Sequence, residues 1–377
     1  MVMALYLLSL LFALGFLHPY LTYPLSLRCF RARPVAQGDG DRPSASLLFA
    51  AYNEERVLPA KLANIEAIKR LHPELEVIAY SDCGSDRTLE LLEGRPDLLR
   101  VIAASERTGK AMGMRQMVEE AHGDICIFTD ANVILAPQSV TALLDHFRSA
   151  KIGGVSGTLH YVNDADSATA LAGGLYWRLE EGIKTLESRC GSMMGADGSI
   201  FAVRRALYPE VPPHLLDDMI ASMSVIFAGY RLISADDVIA HERNTTDPRD
   251  EFRRKRRIAC RAWNSHRHLW PHIVRSFSLA DRYKYVSHKL LRWFGAPLAI
   301  AAASCFTGAL LLGGHVVPAI FLWLAGGLAA VLGSALTTGP LSTLWQAWIA
   351  ICATFAGIID AWRGRSYQTW VPAKSRD

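Results

Sequence analysis

Sixty-seven consecutive residues, 293–359, contain no Asp, Glu, Lys or Arg, and neither do residues 1–27. Soluble surfaces are not built from runs of that length, so the distribution of charge constrains the fold more than any average does. The chain has 377 residues and a formal net charge of +4, yet 94 of them carry no charge and the other 283 hold all 76 charged side chains. That is an ordinary soluble density in the middle and none at the ends. The sequence therefore reads as a soluble body held between membrane segments. A hydrophobic fraction of 51% excludes a disordered or collagen-like chain.

A helix that spans a bilayer needs about 20 apolar residues. Residues 1–17 form one apolar block, and Tyr20 to Leu27 extend it past His18-Pro19. No basic residue precedes Arg28 and no A-x-A pattern is present, which favours an uncleaved anchor over a signal peptide. Arg28, Arg31 and Arg33 follow at once, and the positive-inside rule then puts the middle of the chain in the cytoplasm, as in a bacterial inner membrane protein. The C-terminal block divides at Gly313-Gly314-His315 and at Thr337-Thr338-Gly339-Pro340 into three spans, about 294–312, 316–336 and 341–361. One crossing followed by three leaves the tail outside, whereas Arg363, Arg365, Lys374 and Arg376 favour the inside. Either one segment does not cross or the tail departs from the rule. Seven scattered cysteines without a C-x-x-C fit a reduced compartment and give no zinc signature.

From Ala45 short apolar runs alternate with amphipathic segments. Strands are expected at 46–50, 77–80, 100–103 and 125–128, with helices at 57–70, 88–92, 111–122 and 140–149. That alternation implies a parallel sheet with crossover helices, which binds ligands at the carboxyl ends of its strands. Those ends are polar and acidic: Tyr52-Asn53-Glu54-Glu55, Ser81-Asp82-Cys83-Gly84-Ser85-Asp86 and Thr129-Asp130-Ala131-Asn132. A P-loop is excluded, because Ala104 stands where its first glycine belongs and Ala111 replaces Ser/Thr after Gly109-Lys110. A dinucleotide fingerprint is excluded too, since no G-x-G-x-x-G follows the first strand. An Asp-x-Asn at a strand end suits a hard divalent cation, Mg²⁺ or Mn²⁺, shared with a nucleotide diphosphate.

In order and spacing these residues resemble the inverting family 2 glycosyltransferases of GT-A fold, in their membrane-embedded, polysaccharide-synthase-like form. The similarity covers about residues 45–270. Ala50-Ala51-Tyr52-Asn53-Glu54-Glu55 is similar to the opening A-Y-N-E-E, and Ser81-Asp82 through Asp86 and Thr88 to the S-D-x-S-x-D-x-T turn. Arg107-Thr108-Gly109-Lys110-Ala111 resembles R-x-G-K-A, and Phe128 to Asn132 the metal motif. Residues 195–205 resemble the strand and loop under the acceptor, and Asp217-Asp218 stands where the family has its Glu-Asp pair.

The resemblance implies roles. Asp218, paired with Asp217, is the catalytic base, and Asp130 and Asn132 hold the metal. Ala51, Tyr52, Glu54, Asp82, Lys110 and Asp130 bind the UDP-sugar donor, with Asp82 at the base and Lys110 at the diphosphate. Gly195, Asp197, Arg256, Arg257 and Trp263 face the acceptor or the phosphates. Plainer readings stand beside these. Asp217 and Asp218 also suit a helix first turn, Glu54 and Glu55 a helix start, and Asp86 and Asp197 turn caps. Asp164-Ala165-Asp166 is a literal D-x-D, but it runs into Ser167-Ala168-Thr169 as a helix N-cap does. His241-Glu242 ends a later strand and offers a third metal ligand. One departure stands out: where processive relatives carry Q-x-x-R-W, arginines occupy the Gln and Trp positions, and Trp263 is six residues further on.

Residues 249–292 hold 13 Lys+Arg against Asp250, Glu251 and Asp281, so the remainder of the chain is net acidic. Interleaved Trp263, Trp270, Phe277, Tyr283, Tyr285 and Trp293 make this a lipid-facing collar of interfacial helices, with no nucleic acid as partner. The expected organisation is an α/β GT-A domain at 45–248 between an anchor at 1–27 and, after the collar, membrane helices at 293–361 and a tail at 362–377. The expected activity is sugar transfer to a growing polysaccharide, coupled to export through a partner or a homo-oligomer. Single transfer to a lipid-linked acceptor is the alternative, and a non-catalytic membrane scaffold is the reading from another class.

Overall fold

A computed structural model describes residues 1–36, 38–372 and 375. Lys374 and Arg376, two of the four basic residues in the tail, lie outside the described residues. The chain opens with α1 (Val2–Leu17) and α2 (Thr22–Leu27). The α/β body then runs β1 (Ala45–Ala51), α3 (Leu58–Leu71), β2 (Glu76–Ser81), α4 (Thr88–Glu93), β3 (Arg100–Ala103), α5 (Lys110–Glu120) and β4 (Ile125–Asp130). It continues with β5 (Ile134–Leu135), α6 (Ser139–His146), β6 (Ile152–Tyr161), α7 (Ala168–Cys190), β7 (Ile200–Arg204), α8 (Asp217–Phe227) and β8 (Arg231–Glu242).

Each central strand is apolar on both sides, as a strand covered by helices on both faces must be. In β1, Leu47, Phe49 and Ala51 enter the core beneath α3 and α6, while Leu48 and Ala50 enter the core beneath α5 and α8. The same two-residue alternation sorts Ile125 and Ile127 from Cys126 and Phe128 in β4, and Ile200 and Ala202 from Phe201 and Val203 in β7. The strand order is β3-β2-β1-β4-β7-β6-β8-β5. The first four strands are parallel, as the sequence pattern leads one to expect. The second half is mixed: β7 runs antiparallel to β4 and β6, and β6 pairs parallel with β8 through two register shifts. Simple strand–helix alternation does not reveal β7, which follows a 23-residue helix rather than a crossover of ordinary length.

Because β2 lies on one side of β1 and β4 on the other, the order in which strands are added to the sheet reverses at β1 and β4, with Ala50 opposite Asp130. A crevice at such a switch point is where this class of sheet receives ligands.

After the sheet, Asp247 caps α9 (Pro248–Ser276), and α10 (Leu279–Tyr285) passes through a π turn, Val286–Leu290, into α11 (Leu291–Trp293). Among the described residues, three helices are long and apolar enough to cross a membrane: α12 (Gly295–Leu312), α13 (Val316–Ala335) and α14 (Pro340–Trp362). Helix α1 is shorter. It stops at His18 after 16 residues, roughly 24 Å of helix against a hydrocarbon core of about 30 Å. The apolar stretch that continues in sequence to Leu27 therefore does not form one spanning helix. Helix α1 packs on α12, with Ser9 Oγ donating to the Ala302 carbonyl at 2.9 Å.

A buried polar network fixes the membrane end to the body. His288, fully buried on the π turn, bridges Glu180 at 2.8 Å and Glu187 at 2.9 Å. Arg292 pairs with Glu180, and Tyr23 donates to Glu187. Burial alone would raise Glu180, but His288 and Arg292 hold it well below the usual carboxylate range.

Candidate active site

The crevice opens into a cavity of about 920 Å³. On one wall, Asp130 ends β4 and takes an ion pair from Lys110, the first residue of α5, at 2.5 Å. Burial would depress that ammonium, but Asp130, Asp217 and Asp218 outweigh it and hold the lysine above its usual range. Gly109 caps α5 at φ +90°, a conformation that favours glycine. Two residues beyond Asp130, Asn132 donates to Glu242 Oε1 at 3.0 Å. Glu54 lines the same wall.

Opposite stand Asp217 and Asp218, the first two residues of α8, with Gly195 and Asp197 from the loop before β7. Helix α9 holds the start of α8: Ser265 Oγ accepts from Leu216 N–H at 2.9 Å, and Arg261 donates to the Leu215 carbonyl and lies 3.9 Å from Asp217. Burial, reinforced by the charge of Asp217, pushes the Asp218 carboxyl up to about 7. A carboxyl that titrates near neutrality and faces a cavity is a proton acceptor in waiting. At Gly198 a Cβ would lie 3.2 Å from Asp218 Oδ2 and 3.3 Å from Lys110 Nζ. That glycine lets the two charged walls approach.

Residues 46–211 match the family model "Glycosyl transferase family 2". These residues form a family 2 glycosyltransferase domain. Among curated proteins, poly-beta-1,6-N-acetyl-D-glucosamine synthase of Staphylococcus aureus is 24% identical over 195 residues, covering 50% of this chain and 47% of that protein. An N-acetylglucosaminyltransferase of Sinorhizobium fredii is 25% identical over 236 residues, covering 58% and 57%. The chain thus spans about half the length of the curated relatives it matches. Over nearly its full length it superposes on a solved mannosyltransferase from Pyrobaculum calidifontis in complex with GDP-Man and Mn²⁺, with a TM-score of 0.74 at 20% identity, covering 96% and 99% of the two chains. At that identity the likeness speaks to the fold alone.

The remaining site residues are placed differently from one another. Tyr52 lies beside the cavity, with the Arg107 guanidinium 3.4 Å from its ring centroid and Trp370 edge-on at 5.9 Å. Asp82 is fully buried, accepting from the backbone N–H of Thr108 at 2.8 Å and of Gly109 at 3.1 Å. In this arrangement its carboxylate shapes the Arg107–Lys110 loop and is not on the cavity wall. Ala51 is also buried, and its carbonyl accepts from Asp82 N–H at 3.0 Å.

Arg256 and Arg257 line the cavity. Arg256 nonetheless sends both ends of its guanidinium to Asp360, at 2.6 and 2.8 Å. Trp263 is elsewhere, in an aromatic cluster with Trp293, Phe294 and Trp362 at 5.7–5.9 Å between ring centroids. Being interleaved with basic residues is compatible with either side of a helix, and the structure turns this tryptophan toward the membrane helices. The literal D-x-D is committed to ion pairs, Asp164 with Arg178 at 2.9 Å and Asp166 with Arg243 at 3.3 Å, behind an N-cap at Ser167.

Several wall residues go unmarked in sequence: Tyr161, Trp177, Glu180 and Lys184, with Lys289 from the π turn. Tail residues Tyr367 and Thr369 to Pro372 complete the wall, and Gln368 donates to the Thr108 carbonyl at 3.2 Å. Only a lone tryptophan in a polar tail hints at that.

A metal ion is implied by the family, and the residues present fit one. Asp130 and Asn132 supply oxygen donors, and Glu242 is hydrogen-bonded to Asn132. Among the described residues no cluster of three His, Cys, Asp or Glu is gathered. A sparse oxygen set of this kind suits a hard divalent ion that fills its shell from diphosphate and water.

Proposed function

We propose that the chain is an inverting glycosyltransferase that moves a sugar from a UDP-sugar to a glycan acceptor at the cytoplasmic face of a membrane. The observation that carries this reading is the pairing of walls across one cavity. Asp218, pushed up to about 7 by burial and by Asp217, faces Lys110 and Asp130 at the switch point of the sheet. Inverting transfer needs a base on the acceptor side and a charge sink on the leaving-group side. Asp218 accepts the proton of the attacking hydroxyl. The acceptor oxygen forms its bond to the anomeric carbon as the bond to the diphosphate oxygen breaks on the opposite face. Lys110 sits where the departing charge appears, and Asp130 and Asn132 would hold the divalent ion that neutralises the rest. Of the three helices long and apolar enough to cross a membrane, α14 packs on α9 behind the acceptor wall through Arg256 and Asp360, which supports a membrane-bound acceptor.

The bacterial polysaccharide synthases among the relatives support a polymeric acceptor. The withdrawal of Trp263 from the wall favours a second reading, one addition to a lipid-linked acceptor. One experiment tests all of this: purified protein is incubated with UDP- and GDP-sugars and lipid extract, with Mg²⁺ or Mn²⁺ present or chelated. Released nucleotide and product mass are read. UDP release that stops on chelation is expected. Release of GDP alone ends the UDP assignment, and undiminished turnover after chelation ends the metal assignment. A product one sugar longer than its acceptor decides for the lipid-linked reading.

A further inference from the structure

Helix α3 should present an apolar face to the sheet, and Leu58, Leu62, Ile65 and Ile68 do so. Two residues on that buried face break the pattern. Lys61 is fully buried and Asn64 is 8% exposed. Burying an ammonium is costly unless its hydrogen bonds are met. A leucine or methionine would fill the same space at lower cost, so the polar ends ask for an explanation.

Their partners share one location. Lys61 Nζ donates to the Val133 carbonyl at 2.7 Å and to Thr129 Oγ1 at 3.3 Å. Asn64 pairs with a single residue twice, donating to the Leu135 carbonyl at 2.7 Å and accepting from Leu135 N–H at 2.9 Å. Thr129 precedes Asp130-Ala131-Asn132 and Val133 follows it. The lysine thus spans the motif from behind, and the asparagine fixes the strand that leaves it. The turn has one internal backbone bond of its own, Val133 N–H to the Asp130 carbonyl at 3.2 Å. Lys110 and Glu242 hold the side chains of Asp130 and Asn132 from the cavity, and the helix holds the backbone of the turn from the other side. Helix α3 also starts four residues after Glu54, so it couples two strand-end motifs into one rigid frame.

We infer that Lys61 and Asn64 are positioning residues that clamp the Asp130–Asn132 turn from behind and so set the geometry in which it receives a divalent cation and diphosphate. This rests on the proposed function for the ligand, though not for the clamp itself. Groups that orient metal ligands from behind typically control affinity by about 10–100-fold.

The test uses the full chain in detergent with two readouts. The first is Mn²⁺ bound in the presence of UDP, from the electron paramagnetic resonance signal of free Mn²⁺. The second is amide hydrogen exchange in peptides covering residues 129–135. Lys61→Met is expected to weaken Mn²⁺ binding by about tenfold or more and to speed exchange in that segment. Lys61→Arg should restore part of both, and Asn64→Leu should speed exchange at Leu135. Lys69→Met, on the same helix with its amine on the Leu98 carbonyl at 3.4 Å, should leave both readouts unchanged. If Lys61→Met only lowers the melting temperature, with Mn²⁺ affinity and exchange as in wild type, the lysine is mere filling and the clamp is refuted. Should Lys61→Met fail to fold, Asn64→Leu carries the same comparison. If wild type itself binds no Mn²⁺ with UDP, the metal reading falls and exchange alone decides the clamp.

Discussion

The two walls of the cavity are built by different means. The wall that we propose receives the donor comes from the ends of adjacent parallel strands, with Glu54 after β1, Asp130 at the end of β4 and Lys110 at the start of α5, and each follows directly from a strand or helix boundary. The acceptor wall is assembled from α7, the loop before β7, α8, α9, the π turn and the tail, segments that lie far apart in the chain. A wall made of strand ends is held by the backbone ladder, backed here by Lys61 and Asn64 behind the Asp130–Asn132 turn. A wall made of helices and a tail is held by side-chain networks, of which His288 between Glu180 and Glu187 is one and Arg256 on Asp360 another. Local change on the donor side should therefore act on ligand affinity. Change on the acceptor side should act on proton transfer or on the coupling to the membrane helices.

The largest expected effect separates the walls outright. Asp218→Asn removes the proton acceptor and should lower turnover by about 10²–10⁴-fold. Affinity for UDP, read by titration, should stay within about twofold. Equal losses in both would mean that Asp218 belongs to the donor wall. The same substitution should also stabilise the protein at alkaline pH, which thermal unfolding checks. A carboxyl raised in the folded state binds its proton more tightly there than when unfolded. Its contribution is therefore favourable below the unfolded value and is lost as pH rises toward about 7. Above that, wild type buries a charge that asparagine does not.

A smaller effect sharpens the acceptor side. With Asp218 near 7, the pH profile of kcat/KM should rise through about pH 7 and level off above it. Burial is the first cause of that shift and the charge of Asp217 the second. Asp217→Asn should therefore move the rising limb to lower pH without abolishing activity. A limb that stays in place would assign the titration to another group.

What could be read in advance follows the same division. The donor residues sit within contiguous motifs of five or six residues, so strand periodicity and turn chemistry bring them to one edge. Of the acceptor wall, Asp217-Asp218 and Gly195–Asp197 were legible for the same reason. Glu180 and Lys184 were not, because an acid and a lysine one turn apart on an amphipathic helix look like a solvated salt bridge, whereas Glu180 is buried against His288 of the π turn and Lys184 pairs with Glu181. The antiparallel entry of β7 was hidden because the 23-residue α7 precedes it. Asp82 shows the opposite case: its motif is plain in the sequence, while its burial and its bonds to Thr108 and Gly109 are visible only in the fold. The packing of Trp263 on Trp293, Phe294 and Trp362 was not legible, since composition cannot tell which side of α9 an aromatic faces.

Arg256 gives the last and smallest test, because the sequence and the structure assign it to different partners. As a phosphate ligand it would make charge-assisted bonds at the diphosphate, and Arg256→Met would then cost tenfold or more in donor half-saturation, about 1.4 kcal/mol or above. Anchored on Asp360, it does something else: it ties α9 to the end of α14 beside Arg365 and Tyr367, which reach the same carboxylate at 3.1 Å each. Two partners remain to Asp360 when Arg256 is removed, so the loss is cushioned. Arg256→Met should then change donor half-saturation by less than about threefold, a shift of roughly 0.6 kcal/mol. It should at the same time lower the thermal midpoint and loosen the tail, read as faster proteolysis after Arg363 or Arg365. A tenfold rise in donor half-saturation with an unchanged midpoint would return Arg256 to the phosphates and make the acceptor wall a shared one.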